Sequence, residues 1–248
     1  MPHIELIVAG QRIPSVTEWL DVMDKKWLRP WFAKEELLRC IEELAGYGAV
    51  DIDHKIVKSL LASWRKRVKE KNYAATAKGQ AAAAIGTEFH NAVENIFRNE
   101  PYSVQPIVAP LIHEFLRFKS EWNFTKGKQE VHVISKRYVY QGTFDYLGED
   151  CKILGLGLWD WKTSNKIDDT FGLQIALYAY AYGEQQGWTP EETWEKITHG
   201  GTVRLDKRTG YLEHKIYRDL PYLFRVASAL REPYDYRNQV GAWESDDA

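Results

Sequence analysis

Cysteine is scarce in this 248-residue chain: Cys40 and Cys151 are the only two. That is too few for a disulfide framework, a four-cysteine zinc site or an iron–sulfur cluster. Buried reduced thiols are the expectation for both, in keeping with a cytoplasmic setting. No run of 18 apolar residues occurs, so no membrane-spanning helix is expected. The opening "MPHIELIVAG" lacks a basic segment followed by a long apolar stretch, and is not expected to act as a signal peptide. Charge of one sign is missing too. Thirty-three Lys and Arg stand against 35 Asp and Glu, a net charge of −2, which removes any global case for a protein that coats nucleic acid. Internal repeats and low-complexity linkers are absent, as is a "GxxxxGK[ST]" phosphate loop, so any ATP-driven step would belong to a partner.

What is present is ordinary globular composition with ten tryptophans, and one local excess of positive charge. From Lys55 to Lys78 the chain holds eight basic residues and a single acid, Glu70. Such a stretch is either a solvated helix face or a nucleic-acid contact. "IELIVAGQRIPSV" reads as a short hairpin, and Ser15 as the N-cap of a helix over 16–28. Helical spacing follows at 33–48, along the basic stretch, at 81–99, and from about Pro110 to 124. The character then changes. "EVHVISKRYVYQGTFDYLG" reads as two strands or one bent one, and "KILGLGLWDWKTS" as the next. A helix over 168–187, a hairpin turning at "DKRTG" and a last helix from Leu220 complete the pattern. Helices first, an antiparallel β-meander, one helix and a final hairpin make an α+β protein, without the alternation a dinucleotide-binding fold needs.

The segment "LWDWKTS" raises the chemical question. In a strand, residues i and i+2 share a face, so Asp160 and Lys162 point one way and Trp161 the other. Buried charges are costly unless paired or bound to a metal. "GTFD" ends in Asp145, and an antiparallel return through "GEDCK" can bring Asp145 and Asp160 to one end of the sheet. Two such acids repel unless a divalent cation sits between them, and oxygen donors favour Mg²⁺ or Mn²⁺. With Lys162 beside them, the set suits phosphodiester hydrolysis. The bland alternative is an Asp160–Lys162 ion pair with Asp145 capping a turn. Two i, i+4 pairs add to the picture: Gln174 with Tyr178, and His90 with Glu94. The first can grip a phosphate or sugar, and His90 can complete a metal shell. Tyr180 and Tyr182 are expected simply to pack on the sheet.

The order His90, "GTFD", "DWK", Gln174 and Tyr178 resembles the PD-(D/E)XK nuclease superfamily. Within it the chain looks most like the RecB-type branch, which includes CRISPR-associated adaptation nucleases, mitochondrial genome-maintenance exonucleases and phage exonucleases. "PSVTEWL", Trp27, Trp31 and "EVHVIS" add to the phage-type likeness, which runs from about residue 13 to 217. The resemblance implies a restriction-endonuclease-like core, a central mixed β-sheet flanked by helices, behind a helical N-terminal region. It implies one nuclease domain over 1–248: a helical wall over 1–126 carrying His90, a catalytic core over 127–217, and a C-terminal helix and tail over 218–248. His90, Asp145, Asp160 and the Trp161 carbonyl would bind one or two Mg²⁺ or Mn²⁺ ions, and Lys162 would be the catalytic lysine. Gln174 and Tyr178 would position DNA, with Arg65, Lys66 and Arg67 as a phosphate track. Glu130 and Glu94 would play secondary parts. The implied activity is a DNA exonuclease acting on single strands or ends, with no iron–sulfur cluster and no nucleotide cofactor, in a bacterial or phage-infected cell. Its implied partners are DNA and a single-strand-binding or annealing protein or a helicase. A structure-specific DNA or RNA endonuclease, or a non-catalytic binding module, would use the same fold.

Overall fold

The computed structural model describes residues 7–8, 11–21, 23, 74–124 and 127–235. The chain divides into two compact units, Met1–Met23 with Ile85–Ala248, and Asp24–Ala84. Of the second unit, only the helical turns over 74–84 fall within the description. Trp27, Trp31, Cys40, the helix expected over 33–48 and the Arg65, Lys66 and Arg67 track lie outside the described residues.

The first unit opens with a hairpin of β1 (Ile7–Val8) and β2 (Gln11–Arg12). Ser15 then caps α1 (Val16–Leu20) in a capping box. Its hydroxyl accepts the Glu18 N–H, and the Glu18 carboxylate accepts the Ser15 N–H at 2.8 Å. This helix ends at Leu20, with the Asp21 N–H bonded back to the Thr17 and Glu18 carbonyls; residues 24–28 of the expected helix lie outside the described residues. The next helix, α2 (Ala74–Arg98), is longer than expected, since the alanine-rich run from 74 favours helix despite Gly79. Helix α3 (Ala109–Trp122) starts with proline in its first turn and stops at Asn123, whose φ of 55° is left-handed.

Five strands form one sheet in sequence order: β3 (Gly127–Ser135), β4 (Tyr140–Glu149), β5 (Leu156–Lys162), β6 (Ile197–Leu205) and β7 (Leu212–Tyr217). The meander β3–β4–β5 is antiparallel, as is the hairpin β6–β7. Strands β5 and β6 run parallel, because α4 (Thr170–Gln185) and α5 (Pro190–Lys196) carry the chain back between them. The sheet is therefore mixed and flanked by helices, an α+β architecture. Strand β5 begins at Leu156, four residues later than the apolar run suggests. The chain before it is held in a loop by Asp150 Oδ1, which accepts the N–H groups of Lys152 and Ile153. Cys151 sits in that loop, so its thiol is exposed rather than buried as expected.

The two faces of the sheet bury different cores. One packs against α1, α4 and α6 (Leu220–Ala229), with Phe144, Leu158, Tyr178, Tyr180 and Phe224 among its residues. Helix α4 is buried from Gly172 to Gly183, which explains a sequence apolar on all sides. Tyr180 stacks on Phe224 at 4.1 Å and Tyr182 meets Phe144 edge-on, the packing role expected of them. The other face is largely aromatic: Trp122, Phe124, Tyr146, Trp159 and Trp161 lie under α2 and α3. No helix among the described residues is long and apolar enough to cross a membrane.

Candidate active site

The β4–β5 ladder ends at Tyr146↔Trp159. Carried one step further, its register sets Asp145 opposite Asp160, where the paired strands part. Here the in–out alternation of β4 slips by one residue: Phe144 and Leu147 belong to one core and Tyr146 to the other. Asp145 consequently turns along the sheet rather than into either core. Its Oδ2 accepts the Trp161 N–H, taking the place of a β4 carbonyl. The Trp161 carbonyl leaves the strand on the same edge as that N–H, as strand geometry requires. On the other side of β4, Glu130 lies between the pairs Gln129↔Tyr146 and Val131↔Phe144, opposite Asp145. Its φ of 48° is left-handed, a strained value for a non-glycine residue, of the kind that collects at functional sites.

Helix α2 brings in the imidazole. It passes β5 so closely that a Cβ on Gly86 would stand 2.9 Å from the Thr163 hydroxyl. One turn later, His90 Nδ1 lies 3.3 Å from Asp145 Oδ1, its side chain one-third exposed. Single ligand atoms of His90, Glu130 and Asp145 all fall within 4.8 Å of one another. Asp160 is not part of that group; its Oδ2 is turned to Lys162 Nζ at 2.6 Å. Among the described residues, that ammonium is the one protein group given to this buried oxygen, as an ion pair and hydrogen bond. Lys162 also lies 5.3 Å from the centre of the Phe171 ring.

The charges of the group set one another. Burial opposes the ionised form of Asp145, yet the charge and hydrogen bond of His90, with Lys162 and the Trp161 N–H, hold its pKa below the ordinary value. For His90, burial disfavours protonation, but the charge and hydrogen bond of Asp145 outweigh it and raise the pKa. Burial lifts Asp160 to about 6, with Lys162 pulling down and Asp145 pushing up. Glu130 is driven to about 8, by burial first and then by the charge of Asp145. Lys162, although buried, is kept charged by Asp160 and Asp145. Five acids and bases crowded this tightly, with an oxygen-rich inner set and an Asp160 oxygen met only by Lys162, have the donor chemistry of a site for a hard divalent cation.

The remaining predicted residues are placed as follows. Gln174 Nε2 donates to Tyr178 Oη at 2.6 Å, both side chains buried on the sheet side of α4. That bond leaves the phenol proton directed onward, and burial followed by the charge of Asp160 raises its pKa. Tyr178 fits only because β4 has glycine beneath it: a Cβ on Gly142 would lie 2.3 Å from the ring. Glu94 pairs with Arg98 at 2.6 Å and reaches the site only through its field on Glu130. The sequence reading gave Glu130 a secondary role, whereas the structure sets it beside His90 and Asp145. The hairpin register aligns Glu130 with Asp145.

No family model matches the chain, and no curated protein matches it. A solved structure titled "Crystal structure of SSO0001" aligns with 69% of this chain and 68% of that one, at 14% identity and a TM-score of 0.36. A likeness that loose identifies neither fold nor function.

Proposed function

We propose that the chain is a metal-dependent DNA nuclease of the PD-(D/E)XK superfamily, of the RecB-type or phage exonuclease-like branch, with a restriction-endonuclease-like core. The observation that carries this reading is the gathering of His90, Glu130 and Asp145 within 4.8 Å, beside the Asp160–Lys162 pair, where the β4–β5 ladder opens. An ion pair built only for stability has no need of a strained Glu130 opposite Asp145, nor of an imidazole from a third element.

The donor set fits Mg²⁺ or Mn²⁺, which His90, Asp145, Glu130 and the Trp161 carbonyl would hold, with Asp160 alongside. When bound, such an ion supplies polarisation of the phosphoryl oxygen and a more acidic water. The rest falls to the chain. His90 presents neutral imidazole once its proton is displaced, and Asp145 keeps its negative charge. Lys162, 23% exposed at its side chain, can turn from Asp160 to a phosphate oxygen and offset the charge that develops there. The Gln174 amide and Tyr178 phenol orient the strand from α4. Single strands or DNA ends are the substrates this reading favours.

End-labelled linear and circular DNA, incubated with Mg²⁺, Mn²⁺ or EDTA, tests the proposal. Linear DNA should shorten with either cation and stay intact in EDTA, while circles survive. Cleaved circles would make the same site an endonuclease. Cleavage undiminished by EDTA would overturn the proposal. So would intact DNA and RNA under every condition, which would leave a non-catalytic binding module.

A further inference from the structure

Strand β6 places on the face of Asp160 a side chain that the reading above does not use. Thr202 is the register partner of Asp160 across the parallel β5–β6 ladder, so both side chains leave the sheet on one face. Tyr217, from β7, pairs with Gly200 two residues before Thr202 and shares that face. Its ring lies beneath the first turn of α4, where a Cβ on Gly172 would stand 2.8 Å from it. Burial raises the pKa of the phenol, the Thr202 hydroxyl lowers it, and the charge of Asp160 raises it again, so the three groups feel one another.

Asp160, Thr202 and Tyr217 are 3%, 0% and 7% exposed. Among the described residues, Asp160 Oδ2 has the Lys162 ammonium at 2.6 Å and no other protein partner, and Thr202 Oγ1 and Tyr217 Oη are buried with no partner beyond each other. Buried polar atoms left unpaired cost folding free energy, and native proteins keep few of them. Two hydroxyls and an acid oxygen so thinly partnered on one patch of one face need a shared reason. The chemistry is complementary: a carboxylate oxygen only accepts, and each hydroxyl can both donate and accept. A water with two to four polar partners is the smallest group that answers all three.

We infer that Thr202 and Tyr217 are positioning residues that hold Asp160 Oδ2 through one bridging water, so that the carboxylate keeps its place when Lys162 turns to the phosphate. The inference rests on the nuclease reading. It differs from a packing role in a measurable way. Were these hydroxyls structural, removing them would loosen the fold. As groups answered mainly by one water and kept for the site, they can be removed with little change in thermal stability and a loss of turnover.

The test compares Thr202→Val, which keeps shape without the hydroxyl, with Tyr217→Phe, their double variant and Thr202→Ser. Thermal midpoint and single-stranded DNA affinity are measured in EDTA, and kcat and KM in Mn²⁺. Thr202→Val and Tyr217→Phe should hold or raise the midpoint, leave affinity and KM unchanged, and lower kcat about tenfold, the scale of outer-shell effects at metal sites. The double variant should fall little further, because both hydroxyls serve one water. Thr202→Ser should keep kcat near that of the parent. Unchanged kcat in Thr202→Val and Tyr217→Phe, while the parent cleaves, overturns this inference alone. So does a kcat loss that tracks a falling midpoint and is not rescued by serine. A parent that cleaves nothing in Mn²⁺ defeats the nuclease reading and takes the inference with it.

Discussion

Two histidine–aspartate pairs sit near the two ends of β5, and they are built to different purposes. His199 Nε2 and Asp150 Oδ2 are 2.8 Å apart with both side chains fully buried. Around the pair, His199 Nδ1 lies 3.1 Å from the Thr198 hydroxyl, and Asp150 Oδ1 accepts two backbone N–H groups. The Thr198 hydroxyl in turn donates to the Leu154 carbonyl, so the pair pins the β4–β5 loop to β6. His90 and Asp145 are 3.3 Å apart, partly open, and crowded by Glu130, Asp160 and Lys162. Burial lowers the pKa of His199 in spite of Asp150. Burial also opposes protonation of His90, but Asp145 prevails and the pKa rises. The contact itself is common to both. What distinguishes the candidate site is surplus: acids without enough partners and a strained backbone.

That contrast can be broken at either end. The largest effect is expected from Asp150→Ala, which strands a buried imidazole and two N–H groups. It should lower stability by about 1–3 kcal/mol for each buried group left unpaired, read in urea unfolding, while cleavage per folded molecule stays close to that of the parent. Lys162→Ala should do the reverse. Cleavage should fall by about 10²–10³-fold, with DNA affinity kept and the stability loss limited because Asp160, already raised to about 6, takes up a proton; wild-type hydrolysis by this variant would contradict the assigned role. His90→Ala comes next, with divalent-cation affinity from calorimetry reduced by at least about tenfold and only a small change in stability in EDTA.

The smallest effect is in pH. In EDTA, imidazole proton resonances should give His90 a midpoint above the ordinary 6.5 and His199 one below it. The linked stabilities then run in opposite directions. The His90 contribution is complete below its unfolded pKa and fades as pH rises through its raised folded value. Keeping His199 neutral favours the fold above 6.5 and costs stability as pH falls below it, because the unfolded chain gains a proton that the folded one resists. Glu130 acts like His90. Its folded pKa of about 8 against 4.5 unfolded means stability declines as pH climbs between those values. The same downward shift of both histidine midpoints on folding would erase the comparison.

Much of this was legible because the relevant periods are local. The two-residue strand repeat puts Asp160 and Lys162 on one face, the helical repeat makes Gln174 and Tyr178 neighbours, and Ser15 with Glu18 announces a capped helix. What escaped depends on register between distant segments. Glu130 reaches Asp145 through a four-residue connection that needs Val139 at a φ of 55°, and nothing in valine suggests that conformation. The parallel pairing of Asp160 with Thr202 spans a helical crossover that no spacing rule counts. Helix α5 carries its own capping box, Thr189 with Glu192, yet its seven residues are too few to show a period. The burial of Cys151 was misjudged because burial is the default for a reduced thiol, whereas the "GEDCK" connection holds it at the surface.

The account stands or falls on whether these side chains bind a hard cation. Isothermal titration of Mn²⁺ into the parent protein and into Asp145→Ala addresses that directly. Saturable binding by the parent, abolished in the variant with its fold intact, is the predicted result; no uptake by the parent, or equal uptake by both, would contradict it.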